Sequence, residues 1–197
     1  METISKIAAV KILHEKKVKL FDVADGGKIF GIEKTKTLYV LLQKLEKDGV
    51  INRVAKGKYH FSLKEVDDFE LANFLVNPSY VSLESALSFY GILPQFPYTV
   101  TSISPLKTKK FNYQEKEYEY AHLESKYFWG FIKKDRFLIA TPEKALLDEL
   151  YFMAKNLRHI HVQDLSLEII NRKKLKGLSD GYRFVPLQKL LESLKIC

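Results

Sequence analysis

The stretch KTKTLYVLLQKLEKDG, residues 34–49, constrains the fold more than any other part of the chain. Leu38, Leu41, Leu42 and Leu45 fall at i, i+3, i+4 and i+7, the repeat that lays one apolar stripe along an α-helix, and Gly49 supplies the residue that ends it. With the leucines turned inward, a rotation of about 100° per residue sends Lys36, Val40, Gln43 and Lys47 to the opposite side, flanked by Thr37, Tyr39 and Lys44. The next segment, VINRVAKGKYHF, reads as two short strands at 50–54 and 58–61 joined by a tight turn at Ala55-Lys56-Gly57.

Upstream, Thr3 or Ser5 caps a first helix running to about His14, with Ile4, Ile7, Ala8 and Val10 expected inward. Leu20, Phe21, Val23 and Ala24 begin a short second helix or turn, which Gly26-Gly27 is expected to interrupt before Ile29, Phe30 and Gly31. Three helices followed by a two-stranded hairpin is the order of a winged helix-turn-helix, a unit that sets its third helix in the DNA major groove and its wing against phosphates. Residues 1–62 are expected to form this unit and residues 63–197 a second domain.

Charge supports the division. The chain carries 32 Lys and Arg against 24 Asp and Glu; residues 1–62 hold 13 basic and 7 acidic side chains, a net of +6, while the remaining 135 hold 19 and 17. A basic unit joined to a nearly neutral body fits a nucleic-acid reader attached to something else. Lys34, Thr35, Lys36 and Thr37 place ammonium and hydroxyl groups where free backbone N–H groups also favour phosphate. Lys44 and Lys47 extend that basic face. Arg53, Lys56 and Lys58 read as wing contacts to phosphate, and Gln43, Tyr39 and Thr37 as candidates for base edges or sugar. A protein-interaction module is the competing use of such a unit.

Residues 63–76 read as a linking helix ended by Asn77-Pro78. Ser79 or Ser82 caps the next, which carries Leu83, Ala86, Leu87 and Phe89 and closes at Gly91. Strands are expected at 98–102, around 111–113, at 118–123 and at 137–140, forming a small antiparallel sheet. Thr141-Pro142-Glu143-Lys144 is a helix start, with a capping hydroxyl, proline at the first position and an acid in the first turn; Leu146, Leu147, Leu150, Tyr151 and Ala154 line its inner side. Further helices are expected near 162–171 and 186–194, separated by the basic run 172–176. The fold class is therefore α+β, a winged helix followed by a mixed helical domain with a small sheet.

Enzymatic signals are weak. The five histidines, at 14, 60, 122, 159 and 161, show no HExxH spacing; His159 and His161 lack an evident third ligand, so no metal is expected. Gly26-Gly27-Lys28 lacks the length of a phosphate-wrapping loop, and GxGxxG and GxSxG are absent, so no cofactor is expected. No nucleophile is placed beside His122, and Glu119, Glu124, Asp135, Asp148 and Glu149 read as structural decoration. The chain is expected not to be an enzyme. The single cysteine, Cys197, and the lack of a long apolar run fit a cytoplasmic protein with no membrane span.

RVAKGKY at the end of the winged helix, NPSYVSLESALSFYGILPQFP and FLIATPEKALLDELY together resemble the antitoxin component of abortive-infection E systems, the type IV bacterial toxin-antitoxin class. The resemblance runs from about residue 20 to about 155; YVSLESAL at 80–87 with Gly91 and IATPEKALLD at 139–148 are its specific parts. It implies an N-terminal domain that binds operator DNA and represses its own operon, and a C-terminal domain that counters a nucleotidyltransferase-like toxin encoded nearby. On this sequence it makes Lys107, Lys109, Lys110, Arg172, Lys173, Lys174 and Lys176 candidates for the antitoxic surface. Tyr80, Ser82, Ser85, Ala86 and Gly91 are expected to hold the body together. A homodimer or cooperative monomers would read paired half-sites. A solitary regulator without a toxin is the alternative.

Overall fold

A computed structural model describes residues 4–194; Thr3 as a cap and Cys197 lie outside them. The chain divides into two compact units, one ending at Leu75 and the other beginning at Val76.

The first unit opens with α1 (Lys6–Glu15), capped by Ser5, whose Oγ accepts the Ala8 N–H at 3.2 Å. Its buried residues are Ala9 and Leu13, whereas Ile7 is 82% exposed. The inward face is thus displaced from the expected one, because Ile7 lies about 200° round the helix from Ala9.

A short strand, β1 (Leu20–Asp22), leads into α2 (Val23–Phe30), with Asp22 accepting the Asp25 N–H at 2.8 Å as its cap. Gly26 and Gly27 do not interrupt this helix. A Cβ on Gly26 would stand 3.5 Å from the Phe21 ring and 3.7 Å from Leu38, and one on Gly27 would stand 3.2 Å from the Ile32 carbonyl oxygen. The Gly26 distances are ordinary contact; only at Gly27 does a close approach, that of the Ile32 carbonyl, accompany the roughly 1 kcal/mol of helix propensity a glycine forfeits. Gly31, at φ 65°, then turns the chain out of α2.

Helix α3 (Thr35–Lys47) buries Leu38, Leu41, Leu42 and Leu45, as their spacing predicts. Gly49 follows at φ 71°, and β2 (Ile51–Ala55) and β3 (Lys58–Phe61) form the hairpin. These strands and β1 make an antiparallel sheet in the order β1-β3-β2, with Leu20 opposite His60 and Ile51 opposite Phe61. Helices and sheet close over one apolar core that includes Leu13, Phe21, Leu42, Leu45, Ile51 and Phe61. This is the winged-helix arrangement, with β1 as a third strand the sequence did not reveal.

Helix α4 (Asp68–Leu75) lies in the first unit, so the division falls after residue 75 rather than after the expected 62. The reason is local. Lys58 Nζ donates to the carbonyls of Phe74 and Leu75 at the end of α4, and Lys19 stands 3.7 Å from Glu70. The cation satisfies orphan carbonyls where the helix dipole is negative.

The second unit is built on a six-stranded sheet in the order β6-β7-β5-β4-β9-β8. The strands are β4 (Tyr80–Val81), β5 (Val100–Ser104), β6 (Lys109–Tyr113), β7 (Lys116–His122), β8 (Phe131–Lys134) and β9 (Phe137–Ala140). The sheet is larger than expected and mixed, since β5 pairs parallel with β7 and β4 parallel with β9. The parallel pairing arises because β6 runs out to the edge and β7 folds back between it and β5.

Helix α5 (Leu83–Phe89) follows β4, and α6 (Pro142–Ala154) follows β9. Thr141 Oγ1 accepts the Lys144 N–H at 3.4 Å and Pro142 opens the helix, as its sequence predicts. Every residue from Glu143 to Phe152 is buried, so α6 is covered on all sides rather than on one. The helix expected near 162–171 is instead two 3-10 turns, Val162–Asp164 and Leu167–Ile169. The basic run after it is itself helical: α7 (Arg172–Ser179) is capped by Asn171, whose Oδ1 accepts the Lys174 N–H, and anchored by buried Leu175. Helix α8 (Val185–Ser193) ends the described chain, and no described helix is long and apolar enough to cross a membrane.

Candidate nucleic-acid interface

The residues expected to contact DNA fall on two adjoining elements of the first unit. Lys34 occupies the cap position of α3 in an extended conformation without capping by its side chain, and no acidic residue stands in the first turn. Thr35, Lys36 and the half-buried Thr37 form that turn, where unpaired N–H groups and the dipole present positive potential. Farther along α3, Tyr39, Gln43, Lys44 and Lys47 are exposed. Arg53 projects from β2 and Lys56 from the hairpin turn, both exposed.

Among the described residues, Lys34, Lys36, Lys44, Lys47, Arg53 and Lys56 make no ion pair, which leaves their cations available to an outside anion. Lys58 differs from the others. Its ammonium is held by the two α4 carbonyls and sits 5.1 Å from the centre of the Phe74 ring, so it joins hairpin to helix. A cleft of about 630 Å³ opens beside α3, with Phe30, Ile32 and Val40 among its walls and Lys34, Lys36 and Lys44 at its rim.

In the second unit, Lys107 precedes β6 and Lys109 and Lys110 lie on it, all exposed. Lys110 pairs with Glu117 at 3.2 Å and Glu119 at 3.0 Å, which raise the pKa of its ammonium through hydrogen bonding. Arg172, Lys173, Lys174 and Lys176 are exposed on α7, with Lys174 bound to Glu143 at 2.7 Å. Two of the seven basic candidates are therefore already matched by carboxylates.

Tyr80 and Ser82 from the segment 80–87, Lys144 and Asp148 from the segment 139–148, and Tyr182 form a buried polar cluster. Lys144 pairs with Asp148 and donates to the hydroxyls of Tyr80 at 3.0 Å and Tyr182 at 2.8 Å. Asp148 also accepts from Tyr80, Ser82 and Tyr182 at 3.0, 2.8 and 3.0 Å. All three ammonium protons and both carboxylate oxygens are satisfied, as a charge pair removed from water requires. The Lys144 ammonium also lies 5.0 Å from the Trp129 ring centre. Burial lowers the Lys144 pKa, opposed by Asp148, and raises those of Tyr80 and Tyr182. The cluster is closed to solvent and built for cohesion.

Beside it, Arg158 joins Glu84 at 2.8 Å, Glu119 at 3.1 Å and Glu149 at 3.4 Å. The Glu149 contact is misaligned for a hydrogen bond, and neither Glu149 carboxylate oxygen has another partner among the described residues. Burial pushes the Glu149 carboxyl up to about 7, with Arg158 opposing. Asp148 has the structural role expected of it, and both it and Glu149 are fully buried. The i,i+4 spacing of Lys144 and Asp148 is that of a common surface ion pair, and only residues remote in sequence reveal their burial.

The rings of His159 and His161 lie 5.3 Å apart, yet no group of three His, Cys, Asp or Glu among the described residues is placed to hold a metal. His122 Nδ1 lies 3.0 Å from the Leu106 carbonyl oxygen. No protein-family model matches the chain, and no curated protein sequence matches it.

Proposed function

We propose that the chain is a sequence-specific DNA-binding repressor of its own operon, with double-stranded DNA as the ligand of the first unit. The observation that carries this reading is the group of six unpaired cations on α3 and the hairpin, set in a winged-helix frame. Phosphates would neutralise those cations while the outward side chains of α3 meet base edges. Two half-sites would be read by a homodimer or by cooperating monomers. In this reading the chain binds rather than catalyses.

The antitoxic role against a nucleotidyltransferase-like toxin rests on the sequence resemblance in YVSLESAL and IATPEKALLD. A solitary regulator is the second reading, favoured by one observation: Tyr80, Ser82, Lys144 and Asp148 from those segments are fully enclosed and mark a fold more directly than a partner surface.

Titration of the protein against its upstream DNA and a scrambled duplex of equal length, at two salt concentrations, tests the repressor. Preferential binding that Lys36→Glu and Lys56→Glu weaken supports it; weak binding without preference overturns it. Co-expression with the product of the neighbouring gene separates the two regulatory readings. Rescue of growth supports the antitoxin, and toxicity that the chain leaves unrelieved supports the solitary regulator.

A further inference from the structure

Val40 stands at the centre of the outward face of α3 and is 61% exposed. Its helical neighbours at i−4, i+3, i+4 and i+7 are Lys36, Gln43, Lys44 and Lys47, all exposed, so this branched apolar side chain, which also walls the cleft beside Phe30 and Ile32, is bordered by ammonium groups. A solvated helix surface gains nothing from valine here, since its helix propensity is below that of lysine or glutamine. A protein partner covering Val40 would have to combine an apolar patch with a rim of carboxylates to match the surrounding lysines.

The DNA major groove meets both demands. It presents thymine C5-methyl groups on its floor between two rows of phosphates, and a methyl contact is the one apolar element of its code. Resting on the DNA-binding reading above, we propose that Val40 reads a thymine in the operator by packing against its 5-methyl group, while Lys36, Lys44 and Lys47 take the flanking phosphates. Val40 then contributes sequence discrimination, and the lysines contribute affinity shared by all sequences.

The test compares the full-length protein and Val40→Ala on duplex DNA from the chain's own upstream region. It then uses duplexes in which each thymine in turn is replaced by deoxyuridine, which removes the methyl alone. The expected result is one position where losing the methyl weakens the unaltered protein about three- to fivefold and leaves Val40→Ala unaffected. The salt dependence should be the same for both proteins because no charge is removed. If the upstream DNA is preferred but no deoxyuridine weakens binding, or if Val40→Ala retains the same sensitivity, Val40 is not the reader and the repressor reading stands. If the upstream DNA is not preferred at all, both fall. Should the variant misfold, an unaltered protein that is insensitive to every deoxyuridine still overturns the proposal.

Discussion

Lys144 and Asp148 face each other one turn apart on α6 as an ion pair with neither side chain exposed to solvent. Such a pair is held in place by its hydrogen-bond partners, here Tyr80 and Tyr182 for both ions and Ser82 for the carboxylate. Removing one ion strands the other in a medium of low dielectric. Lys144→Met is therefore expected to lower stability to urea by about 3–5 kcal/mol, and the double variant with Asp148→Leu to recover about half of that loss. Additive losses in a double-mutant cycle would refute the coupling.

Glu149 makes the second unit sensitive to pH. Its folded carboxyl is raised from 4.5 to about 7 by burial, so the folded chain holds a proton that the unfolded chain releases near pH 4.5. Its contribution to stability is present below that range and declines as pH rises from about 4.5 to 7, amounting to about 3 kcal/mol at most. Urea denaturation of the parent protein and Glu149→Gln at pH 5 and pH 8 should show a smaller difference between the two pH values in the variant. Equal differences would place the titrating group elsewhere.

The cations of the winged helix divide by what holds them. Lys36→Glu and Lys56→Glu should each weaken DNA binding and reduce the steepness of its salt dependence by about one phosphate's worth. Lys58→Met should leave that slope unchanged and lower thermal stability by about 1–2 kcal/mol, because its ammonium serves the α4 carbonyls. A changed salt slope for Lys58→Met would put this lysine back on the DNA.

The hairpin joining β6 to β7 turns through Gln114 at φ 47° and Glu115 at φ 63°, a left-handed pair for which asparagine and glycine are far better suited. Replacing the two by Asn-Gly should raise stability by about 1 kcal/mol, visible as a higher melting temperature. An unchanged or lower melting temperature would mean that the present side chains make up for the strain.

The sequence was most legible where the determinants are local. The leucines of α3 and the Thr141-Pro142 start of α6 act through neighbours within two turns, and both helices follow from spacing and caps alone. Local propensity misleads at Gly26-Gly27, where two helix-breaking residues lie inside α2 and Gly27 is closely approached by the Ile32 carbonyl from outside it. It misleads again at Lys144 and Asp148, whose hydroxyl partners stand 34 to 68 residues away in sequence. The parallel pairing of β5 with β7 escaped for the same reason, since adjacent strands in the chain suggest antiparallel neighbours. For the candidate interface, α3 and the wing tip could be read directly, whereas the role of Lys58 depended on where α4 comes to rest.

The bond from Lys58 to the last carbonyls of α4 also determines how the reader can be excised. A fragment trimmed after Ser62, where the hairpin ends, would keep every element of the winged helix and still leave this lysine without the groups that hold it and Lys19 without Glu70. The smallest form of the first unit that keeps these bonds extends through Leu75, so moving the winged helix to another protein means carrying α4 with it.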